Sequence, residues 1–131
     1  MTDSDIATVR AGFEAVARGD LAGFKALFAP DATWNHRNDD RFAGLHKGPD
    51  AIAAFLTESV QLTAGTLRPL PQTIMSSGQG QVAVHTHLTA SRPDGRHLED
   101  MQILLFTLND GLVESVDQYI GDPRTVTDFW A

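Results

Sequence analysis

The hydrophobic positions change period near residue 66. Before it, Ile6, Val9, Phe13 and Val16 recur at helical spacing, with Ser and Asp residues ahead of them and Gly19 behind. That pattern predicts a capped helix. A second, short helix is predicted with Asp20 as its cap, Leu21, Phe24, Leu27 and Phe28 as one stripe, and Pro30 as its stop. "DATWNH" (31–36) alternates as a short strand. "GPDAIAAFLTESVQL" places Pro49 in a first turn and Ile52, Phe55 and Leu56 on one face, a third helix. The charged stretch 38–47 between strand and helix reads as a loop.

After residue 66 the period is two. "TLRPLPQTIM" is extended, but Pro69 and Pro71 cannot donate to a ladder, so an edge or bulged strand is predicted. "QVAVHTHLTAS", "RHLEDMQILLFTL" and "LVESVDQYI" follow as strands, separated by "RPDG" and by "ND" before Gly111 as tight turns. The tail "GDPRTVTDFWA" is expected to make a helical turn that docks Phe129 and Trp130. No linker or repeat divides residues 1–131, so one domain is expected. Helices followed by an antiparallel meander define an α+β layout. The expected architecture is three N-terminal helices in the concavity of a strongly curved, mixed or antiparallel sheet, a cone with an internal pocket.

"GDLAGFKALFAPDATW", then "G…KGPDAIAAF", then "FTLNDGLVESVDQYIGD" resemble the cone-shaped superfamily of nuclear transport factor 2, ketosteroid isomerase and the SnoaL-like polyketide cyclases. The resemblance spans nearly the whole chain. It speaks to fold more than to function, because the superfamily holds isomerases, dehydratases, cyclases, epoxide hydrolases and non-catalytic binders. It implies that the strand after "LFAPDAT" points side chains into the cone, and alternation puts Trp34 and His36 on that face. By the same likeness, His36 stands where ketosteroid isomerase has its Asp general base. A neutral imidazole is a chemically sensible substitute near pH 7. The isomerase's oxyanion Tyr would fall near Gly12 and its protonated Asp near Ile103 or Leu104, so both donors are missing. Steroid isomerisation is therefore not expected. The epoxide hydrolase pairing of Arg and Asp is absent too, since Leu98 stands two before Asp100.

Asp39, Asp40 and Arg41 read as a solvated loop, with Asp40 able to orient His36 by a hydrogen bond, and His46 reads as surface. If the turns are tight, His87 opposes Asp100, His85 opposes Gln102, and Gln102 opposes Asp117. One sheet face then carries His85, His87, Asp100, Gln102, Asp117 and Tyr119, together with Leu104 and Phe106. The other carries Val82, Val84, Thr86, Leu88, Met101, Ile103, Leu105, Val116 and Ile120, with Gln118 among them. The apolar face is expected inward, because an unpaired buried polar group costs about 1–3 kcal/mol. A one-residue slip would exchange the faces. "HTH" with Asp100 has the makings of a zinc triad, but no metal and no cofactor are expected.

Composition adds exclusions. Ten basic against seventeen acidic side chains give a net charge of −7, so nucleic acid and anionic membranes are not expected partners. There is no Cys, which removes disulfides and thiolate chemistry. "MTDSDIATVR" is too polar for a secretory signal, and a cytoplasmic protein is expected. The functional expectation is a SnoaL-like, cofactor-independent isomerase, cyclase or dehydratase type of enzyme. His36 would be its general base, with Trp34, Phe13, Phe55, Thr86, Met101 and Gln118 around a small apolar, carbonyl-bearing ligand. The alternative is a non-catalytic small-molecule binding or dimerisation domain. A homodimer is expected through the convex sheet face.

Overall fold

Capping chemistry sets the first helix. In the computed structural model, which describes residues 3–131, the Asp3 carboxylate accepts from the backbone N–H of Asp5 (2.9 Å) and Ile6 (3.3 Å), starting α1 at Ser4–Arg18. Gly19 ends it in the left-handed region at φ 69°, where a residue without Cβ is unstrained. Asp20 caps α2, which runs only over Leu21–Lys25. The predicted stripe had carried this helix on through Phe28. Instead the Leu27 carbonyl accepts from Val113 N–H at 2.9 Å, and Phe28 opens strand β1 (Phe28–Arg37) beside Val113. Sheet pairing outcompeted the helical period there.

Strand β2 (Gly44–Lys47) lies within the stretch read as a loop. It is four residues long and pairs antiparallel with β1, Trp34 facing His46 and His36 facing Gly44. Then come α3 (Pro49–Leu62), β3 (Arg68–Ser76), β4 (Gln81–Ser91), β5 (His97–Asn109), β6 (Leu112–Tyr119) and α4 (Pro123–Trp130). The sheet has six strands in the order β2-β1-β6-β5-β4-β3. Its β1–β6 pair is parallel and the others are antiparallel. Strand β3 is an edge, bulged between Pro71 and Thr73, which is where prolines do least harm. Among the described residues the fold is thus α+β, a six-stranded mixed sheet with four helices. The fourth is the tail, a two-turn helix with Val126, Phe129 and Trp130 buried.

The register of β5 overturns the expected face assignment. Arg92 N–H donates to the Arg96 carbonyl at 2.8 Å, so Pro93, Asp94 and Gly95 form a three-residue loop with Gly95 at φ 97°. A tight two-residue turn would have paired the strands one residue differently. Leu88 therefore faces Asp100, Thr86 faces Gln102 and Val84 faces Leu104. Asp100, Gln102, Leu104 and Phe106 point inward with Val82, Val84, Thr86 and Leu88, all buried. Met101 and Ile103 are exposed on the outer face. Leu105 opposes Asp117 there, and Ile103 opposes Tyr119. The expected pairs His87–Asp100, His85–Gln102 and Gln102–Asp117 do not form. His87 opposes Met101 and His85 opposes Ile103.

Two apolar clusters fill the inner side. One joins Val9, Phe24, Phe28 and Ile52 of the helical layer and β1 to Val82, Val84, Leu104 and Phe106. The other gathers Phe42, Leu88, Leu98, Val126, Phe129 and Trp130 under α4. Arg92 and Arg96 hold the end of α4, each donating to the Phe129 and Ala131 carbonyls. No helix among the described residues is long and apolar enough to cross a membrane.

Candidate functional site

Between the helices and the inner sheet face lies a cavity of about 100 Å³, several times the roughly 10–15 Å³ that one water needs. Its walls are apolar, with Phe13 and Val16 from α1, Phe55 and Leu56 from α3, and Leu104 and Phe106 from β5. Phe42 and Trp130 close one end, their rings edge to face at 5.0 Å. Its polar lining comprises Trp34, His36, Thr86, Gln102 and Gln118 from the sheet, and Thr8 and Ser59, whose hydroxyls donate to helix carbonyls. Of the residues expected around a ligand, Phe13, Trp34, His36, Phe55, Thr86 and Gln118 line this cavity. Met101 does not, being 39% exposed on the opposite face of the sheet.

A single hydrogen-bonded chain runs through the polar end. Trp34 Nε1–H donates to Gln118 Oε1 at 2.9 Å, and His36 Nδ1 lies 2.9 Å from the same oxygen. Gln118 Nε2 donates to Gln102 Oε1 at 2.8 Å, and Gln102 Nε2 donates to Asp100 at 3.0 Å. Asp100 also accepts the backbone N–H of Gly121 (3.1 Å) and Asp122 (2.9 Å). On the other side, His36 Nε2 lies 2.8 Å from Asp40 Oδ2. His36, Gln102, Gln118 and Asp100 are all at least 93% buried. Among the described residues no buried side-chain polar atom lacks a partner, so burial of this network leaves nothing orphaned.

Asp40 is no solvated loop residue. Its side chain is 1% exposed, and its oxygens also accept from Asn38 Nδ2 (2.7 Å) and Phe42 N–H (2.8 Å). Burial works against its charge, but hydrogen bonds from His36, Asn38 and Phe42 outweigh burial. They hold the carboxyl below the ordinary Asp range. His46 is likewise not a free surface residue. Its ring stacks on Phe55 (centroids 4.5 Å apart, 13° between planes) while Nε2 meets the Phe42 carbonyl at 2.8 Å. Its pairing with β1 turns it back over the loop, which sequence position alone did not reveal.

Gln102 is the functional candidate that the sequence reading put on the wrong face. The signal was present in Gly95, since a third loop residue suited to positive φ favours a three-residue hairpin loop over a two-residue turn. The two histidines of "HTH" sit outside, with His87 Nε2 3.4 Å from Glu99. Asp100 faces the other way, so a zinc triad of these residues does not assemble. Among the described residues no three His, Asp or Glu side chains are grouped to hold a metal ion.

A mixed sheet of this order, with helices over an apolar cavity and a buried polar cluster at one end of it, defines a protein of the cystatin-like, nuclear transport factor 2-like class. Within that class, residues 9–116 match the SnoaL-like domain, and the chain belongs to that family. It is 33% identical over 129 residues to the uncharacterized protein Rv0034 of Mycobacterium tuberculosis, covering 98% of each. The structure of Bal32a, from a soil-derived mobile gene cassette, is similar at TM-score 0.94 and 29% identity, over 98% of this chain and 97% of that one. A Xanthomonas campestris protein with a cystatin-like fold shares the fold at TM-score 0.88 and 23% identity, over 97% of this chain and 98% of that one.

Proposed function

We propose that the chain takes up one small, mainly apolar molecule in this cavity, without a cofactor. The observation that carries this reading is an apolar-walled cavity of about 100 Å³ with the buried Trp34–His36–Gln118–Gln102 cluster in its lining. Apolar walls around a few convergent polar groups are the usual makings of a ligand site. A second reading, favoured by the buried Asp40–His36 contact, is proton-transfer catalysis at a bound carbonyl, of the isomerase or lyase type. Both ring nitrogens are engaged here, so His36 would reach a bound carbonyl only after releasing Gln118 or Asp40.

The test is a thermal-shift screen of neutral ketones, followed by deuterium exchange of bound ligands in D₂O. Binding predicts stabilisation that Trp34→Ala abolishes and His36→Ala keeps. Catalysis predicts exchange of hydrogens next to the carbonyl that His36→Ala abolishes. Bound ketones with no exchange would sink the second reading and leave the first. Absence of stabilisation by any ketone would refute both.

A second copy of this chain is proposed as partner. Leu70, Met101, Ile103 and Tyr119 are exposed on the outer sheet face, joined through the register Leu70–His87–Met101 and Ile103–Tyr119. A patch of this kind is the raw material of a self-complementary interface. Sedimentation would report a dimer that Ile103→Asp converts to monomer.

A further inference from the structure

The polarity of the buried chain can be read from both of its ends. Indole Nε1–H only donates, so the Gln118 atom facing Trp34 is its oxygen, and the Gln118 amine must face Gln102. At the far end Asp100 accepts two backbone N–H groups, so the Gln102 atom facing it is the amine and the Gln102 oxygen must face Gln118. The two assignments, made 84 and 21 residues apart in sequence, agree at the Gln118–Gln102 bond. The amide orientations therefore follow from fixed donors and acceptors, not from choice.

His36 inherits the consequence. Gln118 Oε1 can only accept, so His36 Nδ1 carries hydrogen. Nε2 faces Asp40, whose two oxygens already accept from Phe42 N–H and Asn38 Nδ2. Donors on both oxygens favour the ionised carboxylate, and a carboxylate requires hydrogen on Nε2 as well. We infer that His36 stands in the ligand-free site as a doubly protonated imidazolium paired with the Asp40 carboxylate. Asp100, three hydrogen bonds from the ring through Gln102 and Gln118, acts as a positioning residue that keeps Nδ1 protonated.

The surroundings are consistent with a charge neutralised on the spot. Phe42 and Phe55 pack edge-on to the ring at 6.2 and 5.6 Å, and Thr86 is the polar neighbour from β4 in the cavity. The titratable groups around it are Asp40 beside it, Asp100 from β5 across the two amides, and His46 from β2 on the far side of Phe55. No Lys or Arg lines the cavity. The site consequently presents a ligand with no unbalanced positive charge, which suits an uncharged molecule and not a carboxylate. In the proton-transfer reading His36 would enter as acid; that role rests on the second reading above, whereas the protonation state does not.

The experiment is ring nitrogen NMR of the whole, ligand-free protein labelled with ¹⁵N-histidine, at neutral pH. The His36 signals are assigned by contacts of its ring hydrogens with Phe55 and by their loss in His36→Gln. Both ring nitrogens are expected to show the protonated signature. A bare Nε2 would overturn the charged pair, and a bare Nδ1 would overturn the polarity of the network. Asp40→Asn is expected to leave hydrogen on Nδ1 and strip it from Nε2, because an Asn amide can turn its amine toward the ring. Trp34→Phe tests Asp100 separately. With the indole gone, Asp100 alone should keep Nδ1 protonated, and loss of that signature would refute its positioning role.

Discussion

Replacing Gln118 with leucine is the sharpest test of the buried network. Leucine keeps apolar bulk but removes the one group on which three others depend: Trp34 Nε1, His36 Nδ1 and Gln102 Oε1. Stranding the two buried groups, His36 and Gln102, at about 1–3 kcal/mol each puts the loss at roughly 2–6 kcal/mol, with the half-buried Trp34 N–H adding less. That is a large part of the roughly 5–15 kcal/mol that holds a typical domain folded. Water entering the cavity would move the result toward the lower figure. Trp34→Phe supplies the graded comparison, since it deletes one donor while Gln118 Oε1 keeps its contact with His36. Its expected loss is about 0.5–1.5 kcal/mol. Urea unfolding with a common m-value measures both. A Gln118→Leu loss no larger than that of Trp34→Phe would refute the reasoning, because the network would then not be what satisfies those groups.

Other outcomes follow from individual contacts. Gly121→Ala places a Cβ against the Met101 carbonyl and 2.8 Å from Asp100 Oδ1, so thermal unfolding should show a loss of at least about 1–3 kcal/mol from overpacking. Gly12→Ala meets only ordinary contact with Leu27 at 3.6 Å and should gain about 0.5–1 kcal/mol by helix preference, detectable as a higher Tm. The Asp40 carboxyl lies below the ordinary Asp range when folded. The unfolded chain therefore binds its proton first as pH falls, and the contribution present above the ordinary Asp pKa is lost as pH drops through the folded one. Asp40→Asn should accordingly flatten the acid limb of the stability–pH curve, and an unchanged limb would contradict the assignment. Cyclohexanone should raise Tm more than cyclohexanecarboxylate at equal concentration. The reverse order would mean that an unbalanced positive charge faces the cavity.

The helices of this protein were legible in its sequence because their signals are local. Asp3, Asp20 and Gly19 cap within a few residues of themselves, and the spacing of Ile6, Val9, Phe13 and Val16 is that of one helical face. Alternation likewise put Trp34 and His36 on the same side of β1, and the prolines of β3 marked an edge. Tertiary structure decided the rest. Whether Gln102 or Met101 faces the cavity turns on one residue of hairpin loop around Gly95, and a strand whose two faces are both largely apolar does not announce its register. Strand β2 exists because β1 presents an edge to it, and Asp40 is buried because Asn38, Phe42 and His36 close around it. The protonation of His36 depends on Trp34, Gln118, Gln102 and Asp100, which meet only when β1, β5 and β6 lie side by side. A hydrogen bond's direction is settled by its partner, and those partners are up to 84 residues away.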